Sequence, residues 1–234
     1  SAKLKVGIPF FLEVADKLLN LIPNCKFIIP IAPTTSIEEF KEFSSTKNSI
    51  ANKYKSGIDS IIQFTEIEGL KKLITTNNTE IYLQENFPAH DALSQCSLAL
   101  TTIGANTAEL GALAIPMIVV VPTQHLQVMK AWDGFLGVLG RMPFLNWVLG
   151  KIISVWRMRK NRFMAWPNIT ANRMIVPERI GQIVPSDIAK EASEWLKSPM
   201  RLKGVKEDLQ NLRGNSGASK AIANETLFLI NQLD

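Results

Sequence analysis

The sequence holds few residues of the types that carry thiol or metal chemistry. Two cysteines and two histidines are present among 234 residues. Cys25 and Cys96 lie beside apolar runs without CxxC spacing, which argues against a disulfide scaffold and favours buried free thiols in a reducing compartment. Because no cluster of Asp, Glu or Cys at ligand spacing accompanies the histidines, we expect neither a metal site nor another cofactor.

Two larger patterns are also missing. No nucleophile elbow is followed by Asp and His, which argues against a serine hydrolase. No signal-peptide pattern and no uninterrupted apolar run of about 20 residues occurs, so neither secretion nor a membrane-spanning helix is expected. The net charge of +5 is mild and does not by itself indicate nucleic acid. We therefore expect a cytoplasmic protein that either stays in solution or lies peripherally on the inner membrane.

What is present is a regular alternation of apolar runs and helical patterns, with 46% hydrophobic residues to form a core. This alternation predicts an α/β fold, specifically a Rossmann-like doubly wound parallel sheet. Such a fold normally opens on a strand, whereas this chain opens on a helix, so we expect its first strand and a preceding domain to be missing. The predicted elements are a helix over 5–21, strands over 26–32, 58–64 and 80–84, a helix from Ser36 to about Asn48, and helices over 66–73 and 90–96.

The segment 97–122 predicts one complete βαβ unit. An apolar run over 97–101 and another over 116–121 flank Gly104, which permits a tight turn, and we expect Asn106 or Thr107 to cap the helix that follows. A helix N-terminus directs N–H groups and partial positive charge at an anionic ligand. Glu109, placed in the first turn, suits that dipole and can reach a sugar hydroxyl. The pattern favours a nucleotide site; a plain strand-to-helix connection is the alternative.

The composition changes between Gly134 and Pro177, which contain seven basic residues and no Asp or Glu. We interpret 125–165 as an apolar and basic helical insertion within a domain spanning 1–185, followed by a C-terminal helical extension over 186–234. The stretch 135–162 fits either a membrane surface or a hairpin packed on the core or on a partner subunit. RNA binding is not expected, because no aromatic stacking platform accompanies the basic residues.

Three short runs together resemble the lipid A disaccharide synthase family, whose members are inverting GT-B glycosyltransferases that use a UDP-activated acylated glucosamine. The runs are Ile103-Gly-Ala-Asn-Thr-Ala-Glu109, Ala165-Trp-Pro-Asn-Ile169 and Val176-Pro-Glu178. The resemblance covers essentially the whole chain, but only as the C-terminal, nucleotide-binding half. Ile103 and Ala105 replace the family's Ser and Thr. The resemblance implies a UDP-sugar site made of Gly104, Ala105, Asn106, Thr107, Glu109 and Asn168.

The same resemblance implies a lipid-linked acceptor, a homodimer, and a catalytic base on the missing N-terminal domain, so no catalytic residue is assigned here. His125, just after a predicted strand, is either a donor contact or a surface residue, and His90 is expected to be a cap or surface residue. Asn168 is either a donor contact or the support of a turn. A second functional hypothesis is a non-catalytic peripheral membrane or interaction module that keeps the half-fold.

Overall fold

The computed structural model describes residues 2–45, 50–54, 57–63, 71–125, 163–213 and 217–231. Its strands form two sheets. The mixed sheet has the order β1-β4-β3-β2, and the parallel sheet has the order β5-β6-β7. The strands are β1 (Phe27–Pro30), β2 (Ile58–Gln63), β3 (Lys71–Thr75), β4 (Glu80–Gln84), β5 (Ala99–Thr101), β6 (Met117–Pro122) and β7 (Glu178–Gly181).

Helices follow most of these strands, and short 3₁₀ turns lie at Ala51–Lys53 and Thr123–His125. The α-helices are α1 (Ala2–Leu21), α2 (Ile37–Phe43), α3 (His90–Ser94), α4 (Ala105–Ala112), α5 (Trp166–Ala171), α6 (Pro185–Leu196), α7 (Pro199–Leu212) and α8 (Ala218–Asn231). The protein is thus a mixed α/β protein with parallel strand pairing.

Strand β6 is the centre of the parallel sheet and is buried along its whole length. Its side chains alternate between two cores, as the period of a strand requires. Ile118 and Val120 pack in the core that contains residues of α1 and α6, whereas Met117 and Val119 pack in the core that contains residues of α4 and α7. Helices therefore cover both faces of this sheet, which explains why the strand is apolar at every position.

Helix α1 packs against both sheets. Ile8, Leu12 and Ala15 belong to the core of the mixed sheet, which also holds Leu73 and Ile81. Residues from another side of the helix, Phe10, Val14 and Leu18, belong to the core on one face of the parallel sheet. One helix thus joins the two sheets through two apolar stripes.

Parallel pairing is confirmed for β1 with β4 and throughout the parallel sheet. The prediction of a single doubly wound parallel sheet is confirmed only in part, because the strands form two sheets and β3 pairs antiparallel with both β2 and β4. The predicted helix over 66–73 is also wrong over 71–73, which form part of β3, and the rest of it lies outside the described residues. Cross-strand pairing and the complete burial of Leu73 override the local helical pattern there.

The predicted capping signal at Ser36 is confirmed. The Glu39 N–H donates to Ser36 Oγ and the Ser36 N–H donates to Glu39 Oε2, each at 3.1 Å, so two otherwise unpaired donors at the helix end are satisfied. Helix α2 ends at Phe43, earlier than expected, and residues 46–49 lie outside the described residues.

Helices α6 and α7 contribute to the core. Ile188, Ala189, Ala192 and Trp195 of α6 are buried in the cluster that holds α1 and β6, and Leu209 of α7 is buried with α4 and β6. The first two helices of the predicted extension are therefore integral to the fold. Of the predicted insertion, residues 126–162 lie outside the described residues.

Among the helices that the structure describes, none has the length and apolar character required to cross a membrane. Both cysteines are free and half-buried. Burial raises the pKa of the Cys25 and Cys96 thiols, because it disfavours the charged thiolate. Neither thiol is therefore activated as a nucleophile.

Candidate functional site

The turn between β5 and α4 depends on one glycine. Gly104 has φ 144° and ψ −166°, a backbone conformation that is essentially restricted to glycine. It is the N-cap residue of α4, and no side chain caps the helix. The prediction that Asn106 or Thr107 caps the helix is therefore wrong, since α4 begins at Ala105 and both residues lie inside its first turn. The Thr107 N–H donates to the Gly104 carbonyl at 3.0 Å.

The side chains of Asn106 and Thr107 hold the turn in place. Thr107 is completely buried; its hydroxyl donates to the Gly104 carbonyl at 2.8 Å and accepts the Trp166 N–H at 3.2 Å. The Asn106 amide donates to the Thr101 hydroxyl at the end of β5. Ala105 is exposed at the helix start.

Glu109 and His90 form a pair beside this turn. Glu109 Oε1 lies 3.0 Å from His90 Nε2, and the two side chains are 39% and 48% exposed. Glu109 is the fifth residue of α4, so it lies just past the first turn in which it was expected. Its carboxylate is therefore accessible to a ligand while a neighbouring imidazole restricts its orientation.

His90 is the second residue of this pair, and its predicted role did not place it beside Glu109. It is the first residue of α3, whose N-cap is Ala89, so His90 is not the cap; the alternative prediction, a surface residue, is confirmed, since His90 is exposed. The order of the elements could have predicted that His90 lies near Glu109, because α3 and α4 each follow the carboxyl end of a strand. Such ends are where ligands of open α/β sheets bind.

Asn168 lies in a second polar cluster, which is buried. Its Oδ1 accepts the N–H groups of Ile175 and Val176 at 2.7 and 2.9 Å, and its Nδ2 donates to the Val176 carbonyl and to Glu178 Oε1, both at 2.8 Å. These contacts use both donors and both acceptor positions of the amide. With 0% exposure, Asn168 fits the turn-supporting interpretation and leaves no side-chain atom for a ligand.

Glu178 is the centre of this cluster. Its Oε1 accepts the N–H groups of Met164 and Ala165 at 3.0 Å, in addition to the Asn168 amide. Ala165 is the N-cap residue of α5, so the carboxylate lies at a helix N-terminus, where the dipole favours it. Only 3% of Glu178 is exposed. In the sequence, Glu178 stands out only as part of a run that resembles the family. Nothing in that run predicts the hydrogen bonds that its carboxylate accepts.

The carboxyl end of β6 is fixed by Gln124. Its amide nitrogen donates to the Ile183 carbonyl at 2.7 Å and its amide oxygen accepts the Ile183 N–H at 3.2 Å. His125 ends the 3₁₀ turn that follows β6, which is the position predicted for it. The His125 side chain lies outside the described part of the structure, so its role as a donor contact stays a prediction.

The geometry brings Gly104, Ala105 and Glu109 together on one accessible surface and places Asn168 elsewhere, inside the core. Within the described ranges, no group of three His, Cys, Asp or Glu residues could hold a metal ion. No protein-family model matches the sequence. No curated protein matches it significantly. The site must therefore be interpreted from its own chemistry, which combines a helix N-terminus with an accessible carboxylate.

Proposed function

We propose that this chain is the donor-binding part of a UDP-sugar-dependent hexosyltransferase similar to lipid A disaccharide synthase. The observation that carries the proposal is the uncapped N-terminus of α4, formed at Gly104, with the exposed carboxylate of Glu109 one turn further along the helix. The helix N-terminus suits the diphosphate of a nucleotide, and the carboxylate suits the hydroxyls of its ribose.

The diphosphate would bind the backbone N–H groups at the start of α4, including those of Ala105 and Asn106. A helix N-terminus carries a partial positive charge of about half a unit. That charge stabilises UDP as a leaving group, because negative charge develops on it during glycosyl transfer. The Ser and Thr hydroxyls that the family has at positions 103 and 105 are not needed for this contact.

The ribose would bind Glu109, whose carboxylate oxygens accept hydrogen bonds from the hydroxyls. His90 acts as a positioning residue, since its Nε2 lies 3.0 Å from Glu109 Oε1. Thr107 and Asn168 support the site without contacting the ligand, the first by joining α4 to α5 and the second by holding the segment 175–178.

The wider proposal is a Rossmann-like, GT-B half-fold. It is supported by a parallel sheet with helices on both faces and a candidate site at the carboxyl end of β5. The acceptor would be a lipid-linked sugar, with the catalytic base on another domain and residues 135–162 against the cytoplasmic face of the inner membrane. An acylated substrate makes membrane contact sensible, because acyl chains leave a bilayer at high cost.

The second candidate is a non-catalytic membrane or interaction module. One observation favours it, namely the exposed apolar side chains of α8. Ile222 is 67% exposed and Phe228 is 56% exposed, with Leu229 and Ile230 similarly accessible. Several exposed large apolar side chains on one helix are a feature of some binding interfaces.

Thermal-shift titration separates the two candidates. A ligand at 100 times its Kd stabilises the folded state by about 2.7 kcal/mol, so we expect a rise in Tm with UDP and none with AMP. Glu109→Gln should remove most of that rise, whereas Glu38→Gln, an exposed glutamate on α2, should retain it. An equal response to UDP and AMP, or no response to either, would reject the donor-site proposal. Flotation with anionic vesicles tests membrane contact separately.

A further inference from the structure

We propose that Trp166 contacts the sugar of the bound nucleotide sugar through the face of its indole ring. The sugar is a hexopyranose, whose ring C–H groups form an apolar face. This inference rests on the proposed UDP-sugar function and adds a specificity residue to the contacts with the diphosphate and the ribose. The indole stabilises the complex with a UDP-sugar and leaves the complex with UDP alone unaffected.

Trp166 is the first residue of α5, and its backbone is held beside the turn that begins α4. Its N–H donates to the Thr107 hydroxyl at 3.2 Å, and that hydroxyl donates to the Gly104 carbonyl at 2.8 Å. The preceding residue is also held, since the Ala165 N–H donates to Glu178 Oε1 at 3.0 Å. Two hydrogen bonds therefore connect Trp166 to the N-cap residue of the helix that is proposed to bind the diphosphate.

The next turn of α4 packs closely against α5. A Cβ atom added at Gly111 would lie only 3.1 Å from Pro167 Cγ. Gly111 follows Thr107 by four positions, so both residues lie on the face of α4 that contacts α5. The two residues after Trp166, Pro167 and Asn168, are both buried. The backbone that carries the indole is therefore packed against α4.

Trp166 and Glu109 lie on opposite sides of α4. Successive residues of an α-helix are about 100° apart, so Glu109 is rotated by about 200° from Thr107, which accepts the Trp166 N–H. On its own side, Glu109 pairs with His90 of α3. The diphosphate of a nucleotide sugar carries the ribose at one end and the sugar at the other. With the ribose at Glu109, the sugar is directed towards Trp166.

The side chain of Trp166 remains accessible although its backbone is packed. Trp166 is 52% exposed, whereas Trp195, the other tryptophan in the described ranges, is 1% exposed. Exposure alone is not evidence of binding, because single exposed apolar side chains are common on protein surfaces. Its position supports the inference, since aromatic side chains beside a few polar groups are typical of ligand sites. The negative face of an aromatic ring attracts the partly positive C–H groups of a pyranose.

A lipid bilayer is the other partner that an exposed tryptophan suits, because tryptophan is enriched at membrane interfaces. The charges around α5 favour the sugar instead. Residues 163–177 contain one cation, Arg173, and its guanidinium is paired with the Asp208 carboxylate at 2.7 and 3.2 Å. An anionic membrane surface attracts clusters of unpaired Lys and Arg. This stretch of described residues contains no such cluster.

Calorimetric titration with UDP and with UDP-N-acetylglucosamine tests the proposal. Trp166→Ala should weaken binding of UDP-N-acetylglucosamine about tenfold and change the Kd of UDP by less than about twofold. Trp166→Leu, which keeps an apolar side chain without an aromatic face, should give the same result. Trp166→Phe should retain most of the affinity for UDP-N-acetylglucosamine, because a phenyl ring also has an aromatic face.

Met174→Ala is the matched control. Met174 is 53% exposed, but it lies beyond the opposite end of α5 from Trp166. Its replacement removes a similarly accessible apolar side chain from the same part of the chain. We expect this variant to bind both ligands as the unmodified chain does.

Two results would overturn the assignment of Trp166 alone. Equal weakening of UDP and UDP-N-acetylglucosamine in Trp166→Leu would show that the side chain supports the turn, and unchanged affinity for both would show that it contacts no sugar. Unchanged affinity together with weaker flotation on anionic vesicles would assign the ring to a bilayer. If the unmodified chain binds neither ligand, the proposed function fails and the assignment of Trp166 fails with it.

Discussion

Two polar regions of this molecule, one at the start of α4 and the other at the start of α5, are organised in opposite ways. At the turn before α4, Glu109 remains exposed and the helix end has no side-chain cap. Around Glu178 the carboxylate and the Asn168 amide are buried, and each contacts several backbone N–H groups. A ligand can reach the carboxylate in the first region. In the second region, the carboxylate and the amide are hydrogen-bonded to the protein's own backbone.

Burial and hydrogen bonding separate binding residues from supporting residues, even when both come from the same short motifs. A buried amide with all its hydrogen bonds made stabilises the fold, because breaking those bonds leaves unpaired polar groups. An accessible carboxylate contributes little to stability and is free to contact a ligand. Substitutions in the two regions should therefore affect different measurements.

The largest effect is expected for Asn168→Ala. This change removes the amide hydrogen bond to Glu178 and the acceptor of two buried backbone N–H groups, so the free energy of unfolding should fall by about 3 kcal/mol. Urea denaturation followed by circular dichroism measures the loss. Glu109→Ala serves as the control and should change stability by less than about 0.5 kcal/mol. A similar loss in the two variants would remove the distinction between the regions.

The next effect is expected for Gly104→Ala. Its φ of 144° is a conformation that an alanine rarely adopts, so the variant should lose about 1–3 kcal/mol and displace the first N–H groups of α4. The control is Gly204→Ala in the middle of α7, where an added Cβ meets nothing within 4 Å. That variant should gain about 0.5–1 kcal/mol. If Gly104→Ala matched its control in thermal denaturation, the turn would not require glycine.

A smaller effect is expected at His90. If His90 orients Glu109, then His90→Gln should weaken UDP binding about threefold, and the double variant with Glu109→Gln should bind no worse than Glu109→Gln alone. Calorimetric titration of the four proteins of this cycle measures the coupling. Fully additive losses would show that His90 acts on the ligand independently of Glu109.

The smallest effect concerns Tyr54. This polar residue is only partly buried, whereas Glu178 is almost completely buried. Burial, and secondly the charge of Glu13, raise the pKa of Tyr54 to about 12. The folded state binds this proton more tightly than the unfolded state, whose tyrosine pKa is about 10. Its contribution to stability is therefore complete below pH 10 and is lost as the pH rises towards 12.

Tyr54→Phe should reduce this alkaline loss of stability without removing it, because lysines and cysteines titrate in the same range. Urea midpoints of the two proteins at pH 9 and pH 11 provide the comparison. A phenol titration at 295 nm in which both tyrosines ionise near pH 10 would show that the phenol of Tyr54 is not shielded.

Much of the fold could be predicted because its signals are local. The continuous apolar run of β6 and the Ser36 capping box each specify a structure without help from distant residues. Strand β3 was missed, since it depends on pairing with β2 and β4, and the split between the two sheets appears in no single segment. The periodicity of apolar residues does not predict which strands, distant in the sequence, pair with one another.

The candidate site was predictable to a similar degree. Gly104 and Glu109 could be found, because a glycine between a strand and a helix has a local meaning. The roles of Thr107 and Asn168 could not, since each depends on a partner from a distant segment or on burial; Trp166 lies 59 positions from Thr107. Residue type and spacing do not distinguish an amide that faces a ligand from one that faces its own backbone.

Calorimetric titration with UDP is the decisive experiment for the proposed nucleotide site. We expect saturable binding by the unmodified chain, affinity at least tenfold weaker in Glu109→Gln, and unchanged urea stability of that variant. The tenfold loss corresponds to about 1.4 kcal/mol of binding free energy. Equal UDP affinity in the two proteins, or no binding to either, would contradict the assignment of this surface to a nucleotide.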